Sequence, residues 1–247
     1  MPNPMDPTEA LKTLGFKTPP EAFSAFLIHA TKNRLSPVEL IEQLTALERR
    51  EREARNMAMR MRLAALGKFK PLDRFDWNHP TKINRPLYEK LLTFDFIEKA
   101  HNILFRGASG LGKTTLAQNL AFLALMRGCT VRFSTLGDAL AKLSRPDTLS
   151  GFEHRIRHFT KPDLLIIDEL GYVPADARGG DILYNVISRR HQERSTIITT
   201  NLSFKHWGTI FPGAACVGAL VDRFTENCQV VHIEGESWRQ KNGGADS

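Results

Sequence analysis

The fold of this chain is decided by the stretch Gly107-Ala108-Ser109-Gly110-Leu111-Gly112-Lys113-Thr114. It follows a short apolar run and precedes a helical one, and that strand-to-helix setting distinguishes a phosphate-binding loop from a chance match. The glycines let backbone N–H groups curl around phosphate oxygens, with the positive end of the following helix behind them. Lys113 supplies a charge to the phosphates and the Thr114 hydroxyl is placed to hold Mg²⁺, with Thr115 beside it. The sequence therefore predicts a binding site for ATP.

A second signature is the apolar run 164–167, which ends in Asp168 and Glu169. A buried strand of this kind places Asp168 at the carboxyl edge of a parallel sheet, next to the Mg²⁺ and the nucleotide. Glu169 is placed to polarise a water molecule for attack on the γ-phosphate. We therefore expect the chain to hydrolyse ATP.

Two further polar residues complete the predicted catalytic set. Asn201 follows the predicted strand 196–200, where it would lie between the other two strand ends and orient the attacking water. Arg223 lies near the end of an amphipathic helix, from which an arginine can reach the γ-phosphate bound by a neighbouring subunit. Two alternatives stay open: Asn201 caps a loop, and Arg223 pairs with Asp222 or a glutamate of its own chain.

From residue 102 onward, short β-rich apolar runs alternate with amphipathic helical ones. This alternation predicts an α/β fold, with a mostly parallel sheet covered by helices on both faces. The predicted strands are 102–105, 130–134, 164–167, 196–200 and 230–233. The predicted helices are 86–100, 113–127, 136–144, 180–192 and 214–227.

The N-terminal part has a different character. Thr18-Pro19-Pro20-Glu21 and Ser36-Pro37-Val38-Glu39 both read as capping boxes with proline at the first helical position. They predict a small all-α N-terminal domain, residues 1–67, that binds DNA or a partner protein. Residues 68–85 are predicted to be a linker, either an extended segment that lies on the next domain and lines the base pocket or, equally well, a plain linker with buried aromatic anchors. The ATPase domain would then span residues 86–247.

The net charge of +7 favours a polyanionic partner such as duplex DNA. Arg49 to Arg55 are interleaved with glutamates, so a DNA-binding face and a solvated face with ion pairs are equally good interpretations. Arg60 and Arg62 have no acidic neighbour and favour DNA phosphates.

Cysteine content and hydropathy bound the location of the protein. The three cysteines lack metal-ligand spacing, which indicates reduced thiols. The sequence begins without a signal peptide and its apolar runs are far too short to span a bilayer. We expect a cytoplasmic protein with no membrane partner.

Four segments carry a family resemblance: Ile103–Ala117, Asp163–Tyr172, Ser195–Leu202 and Gly235–Arg239. Together they resemble the IstB-like AAA+ ATPases, the transposition helper proteins of bacterial insertion sequences, which are related to DnaC-like helicase loaders. The resemblance implies an AAA+ core with a five-stranded parallel sheet and no large lid domain. It also implies that Arg223 is the arginine finger, that Asn201 is a sensor residue and that Arg239 is a second one. In relatives of this class the segment that holds Arg155 and Arg157 faces a DNA channel, and an ordinary basic surface helix is the alternative.

One segment departs from the family pattern: Arg189-Arg190-His191-Gln192 stands where the family commonly has Ala-Arg-Tyr-Glu. The function that the resemblance implies is ATP-dependent assembly on duplex target DNA as a homo-oligomer, remodelling of that DNA and recruitment of a cognate transposase. ATP hydrolysis would drive disassembly. The alternatives are a loader that partners a replicative helicase and, from another class, a small-molecule P-loop kinase, which would need no water-activating Glu169.

Overall fold

The structure, a computed structural model, describes residues 6–144, 148–172 and 175–238. The chain divides into two compact units, one ending at Met59 and the other beginning at Arg60. The first unit is helical and contains α1 (Pro7–Thr13), α2 (Pro20–Lys32) and most of α3 (Pro37–Ala64). The division into residues 1–67, 68–85 and 86–247 remains a prediction.

Of the two predicted capping boxes, only the second forms. The Glu39 N–H donates to the Ser36 Oγ at 3.3 Å, and the Ser36 N–H donates to the Glu39 carboxylate at 2.8 Å. The first prediction is wrong, because α2 begins after Pro19 without a side-chain cap. Thr18 instead donates its N–H and hydroxyl to the carboxylate of Glu48 in α3, at 2.9 and 2.7 Å. The buried carboxylate of Glu48 is a stronger acceptor for these donors than the exposed carboxylate of Glu21, which would accept the Thr18 N–H in a capping box.

Glu48 gives the helical unit a specific acid sensitivity. Burial alone would raise the pKa of Glu48, but hydrogen bonds from Thr18, Lys17 and Arg52 lower it from 4.5 to about 2. A carboxyl group with a depressed folded-state pKa stabilises the fold above its unfolded pKa, and this contribution is lost as the pH falls through the folded value. We expect Glu48→Gln to lower the free energy of unfolding of this unit at pH 7 by ~2 kcal/mol.

The loss of helical circular dichroism, followed in urea at pH 7 and in acid between pH 4.5 and pH 2, tests this expectation. The wild type should lose stability across that interval, and the variant should lose much less. Glu42→Gln is the matched control, because Glu42 is an exposed glutamate of the same helix. Equal stability of Glu48→Gln and wild type at pH 7 would contradict the assignment.

The second unit is built on a six-stranded sheet in the order β1-β6-β2-β5-β4-β3. The strands are β1 (Lys82–Ile83), β2 (Asn102–Gly107), β3 (Val131–Thr135), β4 (Leu164–Leu170), β5 (Ser195–Thr200) and β6 (Cys228–Glu234). All neighbouring pairs are parallel except β1, which runs antiparallel to β6. The predicted α/β fold with a mostly parallel sheet is confirmed.

The predicted count of five strands is wrong, because the added strand β1 lies within residues 68–85. A strand of two residues between Pro80 and Pro86 is too short to show an apolar alternation, and only its pairing with β6 defines it. Residues 68–85 thus contribute an edge to the sheet.

The helices of the second unit, after the end of α3, cover the sheet on both faces. They are α4 (Arg85–Leu91), α5 (Asp95–Glu98), α6 (Lys113–Met126), α7 (Leu136–Leu143), α8 (Leu149–Thr160), α9 (Ala177–Arg190), α10 (Trp207–Ile210) and α11 (Val217–Thr225). The single helix predicted for 86–100 is two helices, because Phe94 adopts a positive φ of 68° and breaks it. Within the described ranges, no helix is both long and apolar enough to cross a membrane.

One apolar cluster of the core packs α7 to α11 against the sheet, with residues such as Ile167, Ile198 and Trp207 buried. Arg190 is buried beside this cluster, and burial lowers its pKa to about 9. Its guanidinium donates to the Thr196 hydroxyl and to the carbonyl oxygens of Phe159, Thr160, Pro162, Asp163 and Ser195. These bonds join the end of α9 to the segments that open β4 and β5, and so fix the strands whose far ends form the site.

Candidate functional site

The phosphate-binding loop connects β2 to α6, as its sequence predicts. Gly112 precedes the helix with φ 82° and Gly110 has φ 79°, so both occupy the left-handed region that disfavours other residues. Space is also short, because a Cβ on Gly110 would lie 2.2 Å from the Ser237 Oγ and one on Gly112 would lie 2.5 Å from the Phe75 ring. The loop is therefore enclosed by two segments that are distant in sequence.

The first of these segments follows β6. The Trp238 N–H donates to the Gly110 carbonyl at 3.3 Å, and the Trp238 ring meets the His79 ring edge-on, with centroids 4.6 Å apart. His79 Nε2 lies 2.9 Å from the Glu236 carbonyl oxygen. These contacts place the quoted segment Gly235-Glu-Ser-Trp directly against the loop, while Arg239 lies outside the described residues.

The second segment is part of the predicted linker. Phe75 lies against Gly112 and contacts Trp77, which in turn packs on Tyr88. The side-chain amide of Asn119 in α6 donates to the Lys70 carbonyl at 2.9 Å. These contacts show that residues 70–77 lie against α4, α6 and the phosphate-binding loop, and they are compatible with both interpretations of residues 68–85.

Lys113 is nearly enclosed, with 5% of its surface exposed. Its ammonium group donates to the Ala108 carbonyl at 2.7 Å and to the Tyr172 hydroxyl at 3.2 Å. The Lys113 side chain therefore points back into the loop, where it is predicted to bind the phosphates. In the sequence, Tyr172 only ends one of the segments that resemble the family, and no local signal indicated its contact with Lys113.

Thr114 and Asp168 are brought together as predicted. The Thr114 hydroxyl lies 3.0 and 3.1 Å from the two carboxylate oxygens of Asp168. Thr199 of β5 donates its hydroxyl to the same carboxylate at 2.5 Å. Burial raises the pKa of Asp168, and the hydrogen bonds from Thr199 and Thr114 and the charge of Lys113 oppose this effect.

The donor set fits Mg²⁺. This ion prefers oxygen ligands and is usually held by one or two side chains together with water and substrate phosphates. One carboxylate beside one hydroxyl meets that requirement. Sequence reasoning missed Thr199, although a threonine near the end of an otherwise apolar strand was a visible signal.

Glu169 is positioned by an irregularity of the backbone. The β4–β5 register shifts between Ile167 and Leu170, and Glu169 adopts a φ of 62°. Such strained residues are found preferentially at functional sites. Its N–H donates to the Thr199 hydroxyl at 3.0 Å, and its exposed side chain helps to line a cavity of about 350 Å³ with Thr135 and Asp176.

Asn201 follows β5 directly and is exposed. The strand order places β5 between β2 and β4, so Asn201 lies between the other two strand ends, as predicted. Its role as a sensor remains a prediction.

Arg223 lies apart from this group. Its guanidinium donates to the Ser188 hydroxyl at 2.8 Å and lies 4.8 Å from the centre of the Tyr184 ring. Both partners belong to α9. Within the described ranges, Arg223 contacts this hydroxyl and this ring, and the alternative ion pair with Asp222 or a glutamate is not found. The structure therefore does not join Arg223 to the phosphate loop of its own chain.

The two predicted pairs of DNA-binding arginines flank a residue that the sequence did not single out. Arg132 of β3 donates to the Leu63 carbonyl at 3.1 Å, next to Arg62, and its guanidinium lies 5.6 Å from the centre of the Phe159 ring in α8. Arg62 and Arg157 are exposed, and Arg60 and Arg155 are half-buried. We call the surface formed by Arg60, Arg62, Arg132, Arg155 and Arg157 the basic edge, because β3 is the edge strand of the sheet.

Comparisons with known proteins agree with this geometry. A family model described as IstB-like ATP binding protein matches residues 9–245. The putative ATP-binding protein of insertion sequence IS232 from Bacillus thuringiensis subsp. berliner is 35% identical over 209 residues, which cover 85% of this chain and 84% of that protein. The corresponding protein of IS5376 from Geobacillus stearothermophilus is 34% identical over 219 residues, 89% of this chain and 87% of that one.

Solved structures show the same fold at lower identity. AMPPCP-bound DnaA from Aquifex aeolicus aligns over 72% of this chain and 54% of its own, with a TM-score of 0.58 and 20% identity. DnaI aligns over 66% of this chain and 90% of its own, with a TM-score of 0.56 and 16% identity. The DnaC helicase loader aligns over 69% of this chain and 97% of its own, with a TM-score of 0.50 and 20% identity.

Proposed function

The chain belongs to the family of IstB-like ATP binding proteins, and from this premise we propose that it is an ATP-hydrolysing helper of a transposase that assembles on duplex DNA. The observation that carries the proposal is the contact between the phosphate loop and the end of β4, where the Thr114 hydroxyl meets the Asp168 carboxylate. The insertion-sequence names of the relatives support the transposase as partner.

In this proposal residues 107–115 and Asp168 bind the nucleotide. The backbone N–H groups of the loop and the start of α6 hold the phosphates, and Lys113 turns its ammonium group toward them. Thr114 and Asp168 would hold Mg²⁺, which neutralises charge on the phosphates when bound. Glu169 accepts a proton from the attacking water, and Asn201 orients that water.

Arg223 acts on the nucleotide of a neighbouring subunit. Its contacts with Ser188 and Tyr184 keep the guanidinium on its own α9, away from its own phosphate loop. An arginine supplied in trans stabilises the charge of the transition state and couples the γ-phosphate to assembly. ATP therefore favours the oligomer, and its hydrolysis favours disassembly.

The basic edge binds the DNA backbone. Arginines contact phosphates without reading bases, so binding is expected to depend steeply on salt and little on sequence. The second candidate function, a loader of a replicative helicase, is favoured only by the fold shared with the DnaC loader. A small-molecule kinase would require neither the basic edge nor Glu169.

The mass of the full chain, measured by light scattering with duplex DNA and either ATP or ADP, tests the proposal. We expect large complexes with ATP and DNA, and none with ADP. Arg223→Ala should bind ATP as tightly as the wild type but fail to assemble, and its DNA-stimulated turnover should fall by roughly 10³-fold.

Arg178→Ala is the matched control, because Arg178 is an exposed arginine of the neighbouring helix α9. It should assemble as the wild type does. A protein that stays monomeric under every condition would contradict the role of Arg223 in trans and favour the kinase. Assembly that requires a replicative helicase and ignores transposase would favour the loader.

A further inference from the structure

Tyr172 touches the phosphate loop but has no part in the chemistry proposed above. Its hydroxyl accepts a hydrogen bond from the Lys113 ammonium group at 3.2 Å, and Lys113 Nζ lies 5.8 Å from the centre of its ring. Tyr172 is 39% exposed, so its side chain is free to turn toward water. The Tyr172 hydroxyl thus accepts a hydrogen bond from the same ammonium group that would donate to a nucleotide phosphate.

The backbone joins Tyr172 to Glu169. The Tyr172 N–H donates to the Glu169 carbonyl at 3.2 Å, which closes a turn of four residues. Glu169 has φ 62° and Gly171 has φ 93°, and a Cβ on Gly171 would lie 2.6 Å from the Leu202 side chain. The turn is therefore tight, and it links the backbone of Tyr172 directly to that of Glu169.

We propose that Tyr172 is a positioning residue that holds Lys113 when no nucleotide is bound, and that a nucleotide phosphate replaces its hydroxyl as the partner of the lysine. A phosphate oxygen carries negative charge and is a stronger acceptor for an ammonium group than a neutral phenol. The exchange releases Tyr172, and the turn that carries Glu169 changes when the site is filled. This inference rests on the proposed binding of ATP.

The exchange makes the hydroxyl a competitor of the nucleotide. In Tyr172→Phe the ring remains but the hydrogen bond to Lys113 is lost, so the dissociation constants for ADP and ATP should both fall by about 3- to 10-fold. Equilibrium titration of the full chain with a fluorescent ADP or ATP analogue measures them. A tyrosine with a purely structural role does not give tighter binding when its hydroxyl is removed.

Amide hydrogen exchange over residues 169–172 gives a second readout. In the wild type, ADP should increase exchange at the Tyr172 N–H. In Tyr172→Phe, exchange should already be high without ADP and change little on its addition. Tyr88→Phe is the control, because the Tyr88 hydroxyl donates to the Leu116 carbonyl of the same helix α6, away from the phosphates.

The outcomes separate the inference from the function on which it rests. A wild-type protein that binds neither nucleotide would sink the proposed function itself. A wild type that binds, with a Tyr172→Phe variant of unchanged or weaker affinity, would overturn only the inference. Weaker binding would mean that the hydroxyl donates to the bound phosphate instead of competing with it.

Discussion

Lys113→Ala is expected to raise the dissociation constant for ATP by about 10²- to 10³-fold, since each lost hydrogen bond from a charged group costs ~1.5–3 kcal/mol. The ammonium group is buried at the start of α6 and already faces the loop through its bond to the Ala108 carbonyl. The remaining backbone donors cannot supply a full positive charge. Without nucleotide, assembly on DNA should also disappear.

Titration with a fluorescent ATP analogue measures the loss of affinity, and a melting curve without nucleotide shows whether the variant folds. Lys142→Ala is the control, because it removes an exposed lysine from the last turn of α7. The variant should melt near the wild-type temperature, because the interactions lost are two hydrogen bonds, with Ala108 and Tyr172, and the attraction between the Lys113 charge and Asp168. If the variant binds ATP with an affinity within about threefold of wild type, the phosphate-binding loop is not part of the nucleotide site.

The phosphate loop and the end of β4 could be predicted because their signals are local. A glycine pattern between a strand and a helix, and a carboxylate at the end of an apolar strand, each depend on a few neighbouring residues. The parallel order of the strands then brings Thr114 and Asp168 together without further information. Asn201 was placed by the same argument.

The features that escaped prediction depend on contacts between distant residues. Arg132 joins Leu63 to Phe159, and Tyr172 meets Lys113 just beyond the register shift near the end of β4. The strand β1 exists through its pairing with β6, and Thr18 prefers Glu48 to its own helix. In each case the stabilising contact is made with a residue that lies far away in the sequence, so a pattern of neighbouring residues does not reveal it.

The contacts of Asp168 explain why two carboxylates in sequence are expected to have separate roles. Asp168 is buried and held by two threonine hydroxyls, which suits the proposed role of a Mg²⁺ ligand. Glu169 is exposed at the cavity, and its hydrogen bonds to Thr199 and Tyr172 are made by its backbone. A change at Glu169 should therefore affect the chemistry and leave nucleotide binding almost intact.

Glu169→Gln is expected to reduce kcat by about 10³-fold, within the range that general bases contribute. The glutamine side chain has the same size as glutamate, and adopting a φ of 62° costs glutamine about as much free energy as it costs glutamate. The amide, however, cannot accept the proton of the attacking water. The dissociation constant for ATP should stay within about threefold of wild type. Since the γ-phosphate then persists at the subunit boundary, complexes on DNA should outlast those of the wild type.

Single-turnover hydrolysis and the lifetime of the DNA complex after addition of excess competitor DNA measure the two effects. Asp176→Asn is the matched control, because Asp176 lines the same cavity and caps α9 through the Gly179 N–H at 2.8 Å. Asparagine is an equally good cap, so this variant should fold, hydrolyse ATP and leave DNA as the wild type does. A Glu169→Gln variant that turns over ATP within tenfold of the wild-type rate would assign the base to another residue. A slow variant whose complexes still dissociate quickly would instead show that release from DNA does not wait for hydrolysis.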